Sequence, residues 1–325
     1  MINDLSSLKS IYKEYEENLQ VLKSYIEFNK ENESAHYNQF RSIVYGAIIN
    51  RAYSLWETFS KELFFKYYSL RKKDFIKDKT FISRYKIHEL PAYLLEKANY
   101  DELNQTMSLA LSKEILVFTG KNVELNELNK LYNKIDIPIN RYIEKSDYIK
   151  SFLEEKELPL ERAETREDNK IARSLKFIIK ERNKTAHDAS IDEYQDMSIL
   201  EDWIEFFGKL GFVLYESVIL YYTNELVHIN RVVIGECKKV IHSKIGCFDI
   251  EENVVVECND LVFVYKGIDS TERLVDILMA ENFKVADEDK DKVESFDKAG
   301  IGFKSFLYIE PKIKENYKYF IFLSH

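Results

Sequence analysis

Near the amino terminus Leu5, Leu8, Tyr12, Tyr15, Leu19, Leu22 and Ile26 follow an unbroken 3-4-3-4-3-4 spacing. That heptad seam predicts a long helix over 3–30, read as one arm of an intramolecular hairpin rather than of a coiled-coil dimer. Over 35–70 the stripe widens: Phe40, Val44, Ile48, Ala52, Leu55, Phe59 and Leu63 share a face, with Tyr45, Ile49, Trp56 and Phe64 beside it. A stripe of that width predicts the central helix of a bundle. Residues 71–80 read as a charged break, 81–160 as shorter helices around Pro91, Gly120, Pro138 and Pro159, and 155–169 as a charged connector. A helix is expected from about 168 to 187, and Ser198 to Glu201 reads as a capping box opening another through Trp203, Phe206, Phe207, Leu210, Leu214, Val218 and Tyr221.

Near residue 227 the helical period gives way to short β-branched runs such as "VVVEC", "LVFVYKG" and "YKYFIFLSH", and five of the nine glycines fall in the last hundred residues. Strands are expected there, with one helix at 271–282. The fold class is therefore α+β and multidomain: an all-α bundle over 1–225, then a small β-rich domain, barrel-like or an open sheet, over 226–325. Nothing in that second domain selects among binding RNA, sensing a ligand and packing.

Composition narrows the function. With 22 Tyr and 21 Phe against 9 Gly and 4 Pro, the chain reads as folded and built from long elements. A net charge of −9 argues against a general nucleic-acid-coating surface, because that affinity comes from many Lys/Arg–phosphate contacts. Three cysteines without a signal-like amino terminus suggest reduced thiols, and no apolar run reaches membrane-span length. A soluble cytoplasmic protein, with no membrane partner, is the expectation.

The chemistry concentrates at "ERNKTAHDAS", residues 181–190. On an ideal helix Ile171, Leu175, Ile178, Ile179 and Ala186 share one face, and Arg182 falls in its middle. A guanidinium there is costly without a partner, a phosphate or a wet cleft. His187 lies about 140° around the helix from Arg182, and Asn183 about 40° from His187. Either the helix bends or ends there, or two copies meet and each supplies what the other lacks. Residues 170–184 carry six bases (Lys170, Arg173, Lys176, Lys180, Arg182, Lys184) and one acid, Glu181, a local +5 suited to an anionic substrate. The plainer alternative is a polar cluster at a helix end, with His187 meeting the helix dipole.

"RNKTAH", Arg182 to His187, resembles the R-x4–6-H motif of HEPN (higher eukaryotes and prokaryotes nucleotide-binding) domains, which often place a polar residue directly after the arginine. The upstream helix "VYGAIINRAYSLWETFSKEL" at 44–63 is similar to the aromatic–Glu helix of toxin-like members, and an apolar helix follows the motif. The resemblance implies an all-helical HEPN-like domain that homodimerises with its motifs facing, and a metal-independent endoribonuclease of a toxin–antitoxin or phage-defence type. RNA would be the substrate, with an antitoxin or regulatory protein as a further partner and no cofactor. It would make Arg182, Asn183 and His187 catalytic. Glu57 would support Arg182 across the bundle, unless it is simply a solvated glutamate; Lys176, Lys180 and Lys184 would hold substrate. Some members lack activity and bind nucleotide or a partner instead.

These residue types fit metal-free RNA cleavage. Histidine titrates near neutrality and can move protons, while arginine offers a bidentate fork to phosphate oxygens. Other signals carry less. Arg84 and His88 at i, i+4 read as surface decoration. Cys237, His242, Cys247 and Cys258 lack the short knuckle spacing of structural zinc sites and read as core or strand-edge thiols. No Walker loop or nucleophile elbow is present.

Overall fold

The computed structural model describes residues 2–31, 35–78, 80–85, 90–94, 112–163, 169–187, 194–227, 231–267 and 273–322. Its contacts divide into two compact units that meet between Val218 and Ile219, inside one long helix.

In the first unit, α1 (Ile2–Glu31) buries Leu5, Leu8, Tyr15, Leu19, Leu22 and Ile26, and Tyr12 is half-buried beside them. Partners of this seam come from the same chain. Tyr15 stacks on Phe59 of α2 (Ala35–Leu70) at 4.2 Å and donates to the Phe207 carbonyl of α9 (Met197–Val227) at 2.9 Å. Gly211 makes the α1–α9 approach feasible, since a Cβ there would lie 2.3 Å from Tyr15 Cε1. α2 buries a wide aromatic stripe that includes Tyr45, Tyr53, Trp56, Phe59, Phe64 and Tyr67. Each such ring contributes roughly 1.5–3 kcal/mol by leaving water. Phe40, expected on that stripe, is about half exposed.

Three short helices follow the loop at 117–124: α5 (Leu125–Asn133), α6 (Ile139–Ile143) and α7 (Asp147–Glu155); α4 (Lys113–Leu116) precedes it. Tyr132 of α5 donates to the Ser60 carbonyl at 2.9 Å, fastening α5 to α2. α8 (Lys170–His187) is capped at its start by Asn169, whose Oδ1 accepts from the Ala172 amide at 2.9 Å. Before it, the connector is tied back where Arg173 Nε donates to the Glu161 carbonyl at 2.7 Å.

Three local expectations are corrected. Residues 72–77 within the expected charged break form a helix, α3, because Phe75 is buried against Tyr68 and Phe81 at ring distances of 5.7 and 5.0 Å. Ser198 does not cap α9: the helix already includes Met197, the Asp196 carbonyl accepts from Ile199 and Leu200, and Glu201 pairs with Lys30 at 2.7 Å. Residues 273–282 are not helical but lie in β6 (Arg273–Val285), hydrogen-bonded to a strand on each side. Leu274, Ile277 and Leu278 have helical spacing, yet two flanking ladders satisfy the backbone and override it.

The second unit is an antiparallel sheet of β1 (Arg231–Val233), β2 (Gly235–Ile241), β3 (Ile245–Ile250), β5 (Leu261–Lys266), β6, β9 (Lys298–Ser305) and β10 (Lys318–Phe322), in the order β1-β10-β5-β6-β9-β3-β2. β7 (Glu288–Lys290) pairs with β6, while β4 (Val256–Glu257) and β8 (Lys292–Val293) form a separate ribbon. The two ends of the path, β1 and β2, are halves of one stretch. Ile234 between them donates to Tyr319 at 2.9 Å and accepts from Glu251 at 2.9 Å, so the sheet closes into a small barrel. Gly235 permits that corner: its φ is +149°, and a Cβ would lie 1.9 Å from the Asp249 carbonyl oxygen. Phe248, Val262, Leu278, Ile301, Phe303 and Tyr319 fill the interior. Buried Asp276 accepts from Ser305 Oγ at 2.7 Å and from the Ile277 and Lys312 amides at 2.8 and 2.9 Å, which ties the 305–312 loop to the barrel. Burial pushes its carboxyl up to about 6, against the lowering effect of those hydrogen bonds and of Lys312.

The cysteines are free: Cys237 buried, Cys247 half-buried and Cys258 exposed. Among the described residues no three His, Cys, Asp or Glu side chains converge as metal ligands. No described helix is long and apolar enough to cross a membrane.

Candidate active site

α8 buries Ile171, Ala172, Leu175, Ile178 and Ile179 and, one turn further on the same side, carries half-buried Arg182. The partner that this guanidinium required is an aromatic face. Its centre lies 5.2 Å from the centroid of the Tyr53 ring, and Nη1 donates to Asn183 Oδ1 at 3.0 Å. Nε is shielded from solvent and has no hydrogen-bond partner among the described residues. One donor of the fork is thus unused, which is costly in a resting protein and useful to an anion.

Tyr53 is itself held. Its oxygen accepts from the Val123 amide at 2.7 Å, and Trp56 Nε1 donates to the Val123 carbonyl at 3.1 Å. Burial, reinforced by the Glu57 charge, drives the Tyr53 hydroxyl well above its usual pKa, with Val123 and Arg182 opposing. The ring therefore stays neutral and its face remains attractive to the cation. Asn122, the residue before Val123, donates from Nδ2 to Asn183 Oδ1 at 3.5 Å, so the amide joins α8 to the 117–124 loop.

Glu181 plays a part that the sequence did not reveal. It is buried, accepting from the Tyr45 hydroxyl at 3.0 Å on one oxygen and pairing with Lys184 on the other. A carboxylate at such a depth needs both partners. Close approach of α2 and α8 is set nearby, where a Cβ on Gly46 would stand 3.5 Å from Thr185 Cβ. Asn50 Nδ2 donates to Thr185 Oγ1 at 3.1 Å, and Thr185 in turn donates to the Arg182 carbonyl at 2.8 Å.

The remaining site expectations fall as follows. Glu57 pairs with Lys61 at 2.6 Å, one turn along α2; the α2 residue in contact with Arg182 is Tyr53. Lys180 pairs with Glu161 at 2.8 Å and Lys184 with Glu181, which offsets part of the local positive charge; Lys176 is half-buried on the same helix. The ammonium of Lys180 also holds the Glu161 carboxyl below its usual range. The helix α8 runs unbroken through Arg182 to His187, the last described residue before 194; the His187 side chain lies outside the described residues. Arg84 is not part of a helix-face pair: it sits in a 3-10 turn (Ile82–Arg84) bound to Asp78 and Asp136 at 2.7 and 2.8 Å, while His88 lies outside the described residues. Tyr45 and Tyr53 could have been suspected from their spacing on the stripe of α2. Nothing local pointed to Asn122.

A helical unit whose penultimate long helix ends in Arg-Asn-x3-His defines a class of domain, and the comparisons with known families agree. The family model for RiboL-PSP-HEPN matches residues 4–219, and the chain belongs to that family. HEPN domains are often ribonucleases. No curated protein and no solved structure gives a significant match.

Proposed function

We propose that the protein is a metal-independent endoribonuclease of a toxin or phage-defence type, acting in the cytoplasm as a homodimer whose facing copies complete the site. The observation that carries this reading is Arg182: a guanidinium held on Tyr53 and Asn183, with one buried donor unpaired among the described residues, five residues before a histidine on the same helix. Five helical residues rotate the two side chains about 140° apart, so one copy does not readily aim both at one phosphate, and a second copy supplies the missing direction.

In this reading one His187 imidazole takes the proton of a ribose 2′-hydroxyl as its oxygen bonds to phosphorus. The P–O5′ bond breaks, and the second imidazole gives the leaving oxygen a proton. Arg182 pairs with the phosphate oxygens as charge develops, and Asn183 orients the guanidinium. The products are a 2′,3′-cyclic phosphate and a 5′-hydroxyl. Exposed ion pairs such as Lys180–Glu161 contribute little to stability and can yield to phosphate. An antitoxin or regulatory protein would be a further partner.

The test is incubation of the purified protein with total RNA in EDTA, beside His187→Ala, with the ends mapped. Cyclic-phosphate ends produced by wild type and absent with the variant support the enzyme. The internal pairing of Lys180 and Lys184 favours one alternative, a noncatalytic HEPN dimer that binds nucleotide or a partner protein; it predicts ligand-dependent stabilisation without turnover.

A further inference from the structure

The 117–124 loop has contacts of two kinds. Asn122 and Val123 are fastened to Asn183, Tyr53 and Trp56 as described, while Phe118, Thr119, Gly120 and Lys121 line a cleft of about 590 Å3 in the same unit. Among the described residues its walls carry the cations Arg84, Lys121, Lys130 and Lys134 and the carboxylate Glu127. Their engagements differ. Arg84 is occupied by Asp78, Asp136 and the Lys134 carbonyl, and Lys130 pairs with Glu127 at 2.7 Å. The Lys134 ammonium lies 4.5 Å from the centroid of the Tyr85 ring. Lys121 is exposed and has no ion pair among the described residues. Beside it Gly120 is open, with no described residue within 4 Å of where a Cβ would stand, and Thr119 Oγ1 is shielded and has no hydrogen-bond partner among the described residues.

We propose that this cleft is a subsite for single-stranded RNA bound at Arg182, with Lys121 taking the phosphate of a flanking nucleotide. The proposal rests on the nuclease reading for the identity of the strand. Continuity favours a strand over an isolated small ligand: Lys121 and Asn122 are chain neighbours, and Asn122 touches Asn183, so the cleft opens one residue away from the site. A backbone held by ammonium groups gains affinity without sequence discrimination. Phe118, half-buried in the wall, offers an aromatic edge or face to a base, which is similarly tolerant of sequence. An acidic chain can in this way bind RNA through one narrow track while the rest of its surface repels it.

The test measures binding of a fluorescein-labelled single-stranded RNA of about 12 nucleotides to the full-length His187→Ala protein, across a salt series, with and without Lys121→Glu or Lys121→Gln. The expected result is affinity weakened about tenfold by Lys121→Glu and less by Lys121→Gln, with the salt slope reduced by about one. Because Lys121 is exposed, unaltered circular dichroism and Tm should accompany the loss. Unchanged affinity and slope overturn the subsite. So does a mononucleotide that binds as tightly as the strand with the same dependence on Lys121, which would make the cleft a small-ligand pocket. The outcomes separate from those of the nuclease reading: Lys121-dependent RNA binding by a wild-type protein that never cleaves sinks the enzyme and keeps the subsite. Cleavage with Lys121-independent binding does the reverse.

Discussion

The hydroxyl of Tyr45 donates to the buried carboxylate of Glu181 at 3.0 Å, and the same ring meets Tyr194 edge-on at 5.5 Å. One side chain of α2 therefore holds residues on both sides of the Arg182–His187 motif. Tyr45→Phe keeps the ring contact and removes the donor, leaving Glu181 paired with Lys184. We expect a loss of about 1–3 kcal/mol in denaturant unfolding, the cost of a buried acceptor stripped of one partner. A variant as stable as wild type would show that the hydrogen bond contributes nothing net.

Arg182 should be intolerant of conservative change. Lysine keeps the charge but loses the planar fork and its stacking on Tyr53. Under the proposed mechanism Arg182→Lys lowers kcat for RNA cleavage by roughly 100-fold or more, as removal of a transition-state donor does elsewhere. Single-turnover assays check this, and retention of full rate by the lysine variant would remove Arg182 from the chemistry.

Gly211 should resist even alanine. Tyr15 cannot move aside from a new Cβ, because it is buried, stacked on Phe59 and bonded to the Phe207 carbonyl. Gly211→Ala is expected to cost about 1–3 kcal/mol through overpacking, read as a lowered Tm. An unchanged or raised Tm would mean that α1 can shift freely along α9.

Asp276 gives the barrel a pH signature. Its carboxyl titrates near 6 in the folded chain and near 3.9 when unfolded, so the folded state binds the proton more tightly. Stability from this group is therefore greatest below about pH 4 and declines as pH rises to 6, by about 3 kcal/mol in all. Calorimetry of wild type and Asp276→Asn should show the wild type losing ground to the variant across that window. Parallel profiles would place the carboxyl's folded pKa near its ordinary value.

Much of the first unit was legible because amphipathic helices advertise their buried faces at a 3.6-residue period. The seam of α1, the stripe of α2 apart from half-exposed Phe40, and the apolar face of α8 up to Ile179, though not exposed Ala186, sit where that period puts them. Period failed at β6, where Leu274 and Leu278 look helical until β5 and β9 bind both edges of the backbone. It failed also at 72–77, where charge concealed the single buried ring of Phe75.

At the site the division is sharper. By itself the sequence determined that an arginine would stand on an apolar helix face, that an asparagine would follow it and that a histidine would come five residues later, since those are matters of spacing along one helix. Only the tertiary structure decided that Tyr53 rather than Glu57 would meet the guanidinium, that the lone acid Glu181 would be buried on Tyr45, and that the 117–124 loop would reach Asn183. Each of these pairs elements 60 or more residues apart, Asn122 with Asn183 being the shortest at 61. A local pattern states which face needs a partner. Which partner arrives depends on how the whole bundle packs.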